Sequence, residues 1–510
     1  MAIVVDRARP CLGCRTFRSE RHAALSLPAG VTCAIAGLIA GCGSGGGMPT
    51  AQPPPPTPSM TKVTLVLSST ANDQLSEFDL ALQAMSLTSA SGKNVSVLSQ
   101  TRESEFIHVN GTNEPLLTAM VPQDVYTAAT VTVGSAAFTC VTLTPQGMVI
   151  STYAYGQTPT SDVTVTLPSH IVVGGDTLGL SLNLMVSQSA SYGSCAATSP
   201  GAITPYAITP AFSLSAFTFS PSPATADNGG VMGLDGQVTA LDSDSGGFQI
   251  SLPTYSRLVP TATSVHVTVD SATAWQGIAA FTDLKQGTFV DLDGAVRGDG
   301  SVVAARVAVA DPGAVNVQRG QLLFVSNAVP ILYMLPRQAQ GKDQSADFEA
   351  FNFNGTTFRV SGAFPNLQAL PFTPSFTAQN MVPGQAVYIS SPAFVSTGSY
   401  NATANTVTLV PQTVNGTVTG VTTSGNFIVY GVSLAQYDLF SSLAAQAGQR
   451  TLLANPGAIE VYTDTNTAML TSSAPAPGET LRFYGLVFND HGTLRMDCAQ
   501  VSAGVTALSQ

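Results

Sequence analysis

From about Thr61 onward, polar and apolar residues alternate with a period of two. "KVTLVLSS" (62–69), "DVTVTLP" (162–168) and "LGLSLNLMVS" (178–187) each put every second side chain on one face, the mark of a half-buried strand. Between Phe78 and Leu98 the pattern runs into Ser91-Gly92-Lys93-Asn94 and out again, which predicts a hairpin. "EFIHVNG" and "EPLLTAMVPQDVYTAATVTVG" add further strands, broken at Pro122, and nothing up to about residue 220 predicts a long capped amphipathic helix. So many short strands predict a two-sheet β-sandwich over 62–222.

The second half repeats itself. "GLDGQVTALDSDSGGFQISL" (233–252), "RGQLLFVSNAVPILYML" (319–335) and "VNGTVTGVTTSGNFIVYGV" (414–432) share a glycine, an alternating strand, a turn and a second strand. Each is answered by a later phrase, at 285–309, 382–410 and 476–501, built as Gly-x-x-apolar-x-apolar, a turn and a last strand. The prediction is an all-β chain ending in three small β-barrel-like repeats, at 232–312, 318–412 (divergent) and 413–505.

The first 61 residues follow another logic. Arg7, Arg9, Arg15, Arg18 and Arg21 precede an apolar run from Ala23 to Ala40, then Gly41 and Cys42, as in an export signal. Leu38-Ile39-Ala40-Gly41-Cys42 resembles the bacterial lipobox, which implies a signal peptide over 1–41 and a diacylglyceryl anchor on Cys42. With no acidic residue at position 43, resemblance to Gram-negative lipoproteins implies the outer membrane, on its periplasmic or its surface face. An uncleaved membrane span is the alternative, and Pro28, Gly30 and Gly37 interrupt the roughly 20 apolar residues it would need. Residues 42–61, rich in Gly and then Pro, read as a tether.

Two further resemblances bear on the folded part. Leu82-x-x-Met85-Ser86-Leu87 with its Ser-Gly-Lys hairpin, and the "VPQDVYTAATVTV" element, resemble the bacterial lipoprotein domain of unknown function numbered 4382, over about 62–190. In the first repeat Gly236-x-Val238, Gly287-x-x-Val290, Gly294 and Asp299-Gly300 resemble the domain of unknown function numbered 5666. In the third repeat Gly416-x-Val418, Gly478-x-x-Leu481, Gly485 and His491-Gly492 do the same, whereas the middle repeat keeps Gly384 and Val387 without the following Asp-Gly. Neither family brings catalytic residues with it.

Composition narrows the partners. Charged residues are 10% of the 510, against roughly 25% in an average soluble protein. Removing the five arginines and two acids before Cys42 leaves 14 basic and 28 acidic residues, a net charge of −14, which disfavours nucleic acid. An oxidising compartment makes Cys140–Cys195 the expected disulfide; its loop of about 55 residues would stabilise by about 3–4 kcal/mol. Cys498 then reads as a buried small apolar residue.

Recognisable chemistry is sparse. The sequence carries no nucleophile elbow, phosphate loop, paired metal histidines or clustered metal cysteines. His108, His170, His266 and His491 are far apart and read as strand or turn residues. Asp242 and Asp244, with Asp291, Asp293 and Asp299, are oxygen ligands of the type calcium takes, though hairpin turns explain them as well. Trp275 and the phenylalanines of "FEAFNFNGTTFRV" (348–360) read as core rather than as a sugar platform. No cofactor is expected. Two functions follow: a lipid-anchored, non-catalytic binding or structural envelope protein, with an envelope protein or polysaccharide as partner, or an extracytoplasmic carbohydrate- or polymer-acting enzyme (or its accessory module) using acids such as Asp291 and Asp293 in a cleft.

Overall fold

The computed structural model describes residues 2–7, 59–70, 75–144, 147–154, 161–189, 209–219, 228–252 without 243 and 245, 263–312 without 310, 314, 316–339, 349–392 without 363, 365 and 366, 402–449 without 437, and 452–504 without 472. Cys42, Cys195 and the apolar run from Ala23 to Ala40 lie outside them. Among the described residues no helix is long and apolar enough to cross a membrane.

The fold is almost all β. The N-terminal part is a sandwich of two sheets. One sheet, of four strands, runs Phe212–Phe217, Thr177–Leu184, Met60–Ser69, Glu114–Pro122. The other centres on the long Asp124–Thr144 and Leu75–Ser89 strands, antiparallel to each other. The predicted hairpin forms from Leu75–Ser89 and Asn94–Leu98, with Gly92 at a φ of +82° in its turn. Alternation explains the core: Val63, Leu65 and Leu67 point inward against Phe78, Leu80 and Leu82 of the facing sheet. Ala2–Arg7 pairs in parallel with Gly147–Ala154 and so adds an edge strand from inside the segment predicted to be a leader.

Three modules follow, each with one sheet. In each, an opening strand (Gly230–Asp242, Asn316–Ser326, Gln412–Ser424) pairs antiparallel with a return strand (Phe289–Val296, Ala386–Ser391, Thr480–Asp490). In the first and third modules the sheet closes on itself: Ser264–Thr268 pairs in parallel with Val302–Ala308, and Ala458–Thr463 with Thr493–Ala503. The second module closes in the same way: Glu349–Asn352 pairs in parallel with Ala402–Thr403, which runs on after two residues into Thr406–Leu409, paired in turn with the return strand. Closure bends the return strand. At that bend a Cβ on Gly294 would run into the Val303 carbonyl, and one on Gly485 into that of Asp497. The glycines that lead into the return strands, Gly287, Gly384 and Gly478, sit at φ of +86°, +98° and +93°, which explains why all three phrases carry glycine there.

One element was not foreseen. Leu439–Gln449 is an eleven-residue helix, N-capped by Asp438, whose Oδ1 accepts from the Phe440 amide at 2.8 Å. Phe440 and Ala444 enter the core of the third module, while Leu439 and Leu443 pack on Leu323 and Leu335 of the second. The cores are shared elsewhere too: Val66 and Phe217 of the sandwich belong to the core of the first module, and Phe427, Tyr462 and Phe488 of the third to that of the second. Trp275 packs beside Phe281 at the edge of the first core, and Phe351 and Phe353 are buried in the second.

Candidate functional site

The buried polar groups gather where the modules meet. In each module the residue before the opening-strand glycine stands directly opposite one on the return strand: Asp235 opposite Asp291, Arg319 opposite Tyr388, Asn415 opposite Arg482. All six are held in the β-ladder at equivalent positions, and the first two pairs face each other across the interface. Arg319 Nη1 donates to Asp235 Oδ2 at 2.9 Å, and its Nη2 donates to the Pro411 carbonyl at 3.3 Å. The Tyr388 hydroxyl bonds both Asp235 and, at 3.0 Å, Asp291. Behind them Arg306 pairs with Asp291 through Nη2 and with Asp293 through Nε at 2.6 Å. Asp293 also accepts the Gly233 amide at 2.8 Å.

Electrostatics separates the two facing carboxylates. Burial raises the Asp235 carboxyl, against the pull of Arg319, to about 6. Burial acts on Asp291 in the same sense, but Arg306 and Arg319 outweigh it and hold that carboxyl below its usual range. Burial, then Asp235 and Asp291, push the Tyr388 hydroxyl well above a normal phenol, so it stays a donor. Two acids, two arginines and a phenol thus form one hydrogen-bonded cluster, with Asp291 and Tyr388 also reaching a cavity of about 100 Å³ between the first two modules.

A second cluster belongs to the sandwich. His108 sits between two glutamates, Nδ1 at 3.1 Å from Glu105 and Nε2 at 2.8 Å from Glu114. Burial alone would lower the imidazole, but Glu114 and Glu105 raise it to about 9, so it is an imidazolium at neutral pH. Glu105 in turn accepts the amides of Phe78, Ile107 and His108 at 2.7, 2.7 and 2.8 Å. His108, Arg319, Tyr484, Gln321 and the start of the helix line a partly open cavity of about 140 Å³ where the sandwich meets the second and third modules.

The structure distributes the remaining predicted residues differently. Asp291 and Asp293, considered for calcium, are taken up by Arg306. Asp242 accepts the Asp244 amide at 3.2 Å in a hairpin turn, and Asp299 accepts the Ser301 amide and hydroxyl at 2.9 and 2.6 Å, so the carboxylates of Asp242, Asp291, Asp293 and Asp299 act on backbone, hydroxyl or arginine. Among the described residues no group of three or more His, Cys, Asp or Glu could hold a metal ion. Cys140 lies in the strand Asp124–Thr144, its suggested partner Cys195 lies outside the described residues, and Cys498 is a buried free thiol. His170 is exposed, His266 stands on a barrel strand, and His491 occupies a turn at a φ of +50°. The sequence reading missed the role of His108 and the whole of Arg306, Arg319, Tyr388 and Tyr484. The available signal was Asp-Gly and Arg-Gly at the same place in two repeats.

Comparison with known proteins bears on the same segment. Residues 235–308 match the family model of a domain of unknown function (DUF5666), so the match begins at Asp235 and takes in Asp291, Asp293 and Arg306. No curated protein matches the chain.

Proposed function

We propose that this is an exported lipoprotein, anchored through Cys42 to the outer membrane, that binds or supports envelope components without catalysing a reaction. The likeness of residues 62–190 to the 4382 domain and of the third module to the 5666 domain belongs to this reading, as does an envelope protein or polysaccharide as partner. The observation that carries it is the use made of the charged groups: Asp235, Asp291, Arg306, Arg319 and Tyr388 are spent on one another, joining module to module. Such a cluster fixes the relative placement of binding surfaces. If the leader is removed, the edge strand Ala2–Arg7 leaves with it.

A second reading, the polymer-acting enzyme, is favoured by one observation: Asp235 and Asp291 titrate in opposite directions while sharing Tyr388, the arrangement that separates acid from base in many hydrolases. Against it, only Asp291 borders a cavity, and Asp235 is fully buried.

The test is to express the full chain in a Gram-negative host, recover it from the membrane and incubate it with envelope polysaccharide. The proposal expects a lipid-modified N-terminal Cys42 by mass spectrometry and retention of polymer or partner without bond cleavage. An unmodified Cys42 on an uncleaved chain would remove the anchor. Release of sugar reducing ends that disappears in Asp291→Asn would establish the enzyme instead.

A further inference from the structure

A groove of about 380 Å³ lies where the sandwich meets the first module. One wall is the strand Glu114–Pro122 at residues 115–118; the other is Gln249, Ser264 and His266 of the module with its turn at 299–301. The groove continues the interface between the two, where Thr64 Oγ1 donates to the Arg297 carbonyl at 3.5 Å and Val66 joins the module's core. Four consecutive residues of a strand share no face, and Leu116 and Leu117 send their side chains to the sandwich core, so the strand shows the groove its edge. Among the described residues Glu114–Pro122 is the last strand of its sheet, paired on one side only, with Met60–Ser69. From Leu117 to Met120 every second residue therefore turns its N–H and C=O away from that partner. The register slips at Leu116 and Pro115 has no N–H, so regular pairing ends there.

The module wall has a counterpart in the same chain. Gly431, Glu460 and Arg495 hold in the third module the places of Gln249, His266 and Ser301 in the first. There the face is already covered by polypeptide: Phe372, carried by the second module between Leu367–Ala369 and Ala386–Ser391, lies under the Arg495 guanidinium at 5.3 Å and beside the Tyr462 ring at 5.0 Å. In the first module the face is open. No Trp, Tyr or Phe lines the groove among the described residues, which leaves a sugar ring or a base nothing to stack on. Asp299 is its charged group. Oδ1 accepts both bonds from Ser301, while Oδ2 accepts none among the described residues and Lys62 acts on the carboxylate without forming an ion pair. Burial would raise this carboxyl, but the Ser301 bonds outweigh it and hold it below its usual range.

We propose that this groove takes an extended segment of a partner protein by strand addition, about four residues pairing their backbone with the edge beyond Leu116 and a lysine or arginine side chain meeting Asp299. This deepens the binding reading above, rests on it, and makes the partner a protein strand rather than a polysaccharide.

The experiment titrates the full chain with the labelled peptide Thr-Val-Thr-Lys-Val-Thr, read by fluorescence polarisation and by hydrogen exchange at residues 117–120. Three ligands serve as controls: the same peptide with glutamate for lysine, the same peptide N-methylated at alternate residues, and cellohexaose. The lysine peptide is expected to bind and to slow exchange at 117–120, the glutamate peptide to bind at least about fivefold more weakly, and the N-methylated peptide, which cannot complete the ladder, not to bind. Asp299→Asn is expected to bring the lysine and glutamate peptides within about twofold of each other with the melting temperature unchanged. No binding of the lysine peptide, equal binding of the glutamate or N-methylated peptide, protection confined to other strands, or indifference to Asp299→Asn would overturn the proposal. Cellohexaose protecting 117–120 while the peptides fail would sink the strand addition and leave the binding reading standing. Cleavage of the bound peptide would sink that reading instead.

Discussion

Arg319 Nη1 lies 2.9 Å from Asp235 Oδ2, and the two residues hold the same place in successive modules, one position before the glycine of the opening strand. Equivalent surfaces therefore face each other, yet one presents two acids and the other an arginine and a tyrosine. Two copies of the first surface would set four carboxylates together, which burial would not tolerate. The difference between the repeats is what lets them join.

That join has a measurable strength. Arg319→Met leaves Asp235 and Asp291 facing each other with the Tyr388 hydroxyl between them. Loss of one partner of a buried ion pair costs about 3–5 kcal/mol. Urea unfolding at neutral pH is expected to show a loss of that order, and Asp235→Leu combined with Arg319→Met is expected to recover much of it. A loss below about 1 kcal/mol for Arg319→Met would mean that the pair does not hold the modules together.

His108 makes stability depend on alkaline pH. Its pKa is about 9 in the folded chain against the ordinary 6.5, so its contribution is fully present below 6.5 and is lost as pH rises through 9. The span corresponds to a loss on the order of 3 kcal/mol. His108→Gln is expected to lower stability most below pH 6.5, where the contribution is fully present, and so to flatten the profile between pH 6.5 and 9. An unchanged alkaline limb would show that the imidazolium is not held between Glu105 and Glu114.

Asp235 acts in the opposite window. Its folded pKa is raised to about 6, so the folded chain holds that proton more tightly than the unfolded one, and stability falls as pH rises from about 4 to 6. Asp235→Asn keeps the shape and removes the titration. Its stability relative to the parent chain is expected to improve across that interval, read as a change in the slope of melting temperature against pH. A parallel pair of profiles would place Asp235 in an ordinary solvated environment.

The legible parts of this fold were those written in periodicity. Alternation at Val63, Leu65 and Leu67 marked strands, and Gly287, Gly384 and Gly478 marked the turns into the return strands because those sites adopt positive φ. The helix was less legible: Asp438 before Leu439, Phe440, Leu443 and Ala444 is a capped i, i+3, i+4 stripe, but so short a stripe is swamped by strand patterning on either side. The polar clusters were not legible at all. Arg319 and Tyr388 are separated from Asp235 and Asp291 by a whole module, and no local pattern states which repeat surfaces meet. His108 looked solitary because Glu105 and Glu114 were read as strand ends rather than as its partners.

The clearest consequence of shared cores is at Val66. In the strand Met60–Ser69 the neighbours Val63, Leu65 and Leu67 face the sandwich core, while Val66, also fully buried, points to the opposite face and enters the core of the first module with Val231, Val296 and Val302. This strand is thus buried on both faces, and the sheet serves as a common wall for two domains. Val66→Ala removes two methyl groups from a packed site and is expected to cost about 2 kcal/mol. Because the wall is common, the loss should appear equally in hydrogen exchange of the sandwich strand Thr177–Leu184 and of the module strand Phe289–Val296, with one unfolding transition for both. Two separate transitions, with the loss confined to one, would mean that the domains fold independently and that the contact at Val66 is incidental.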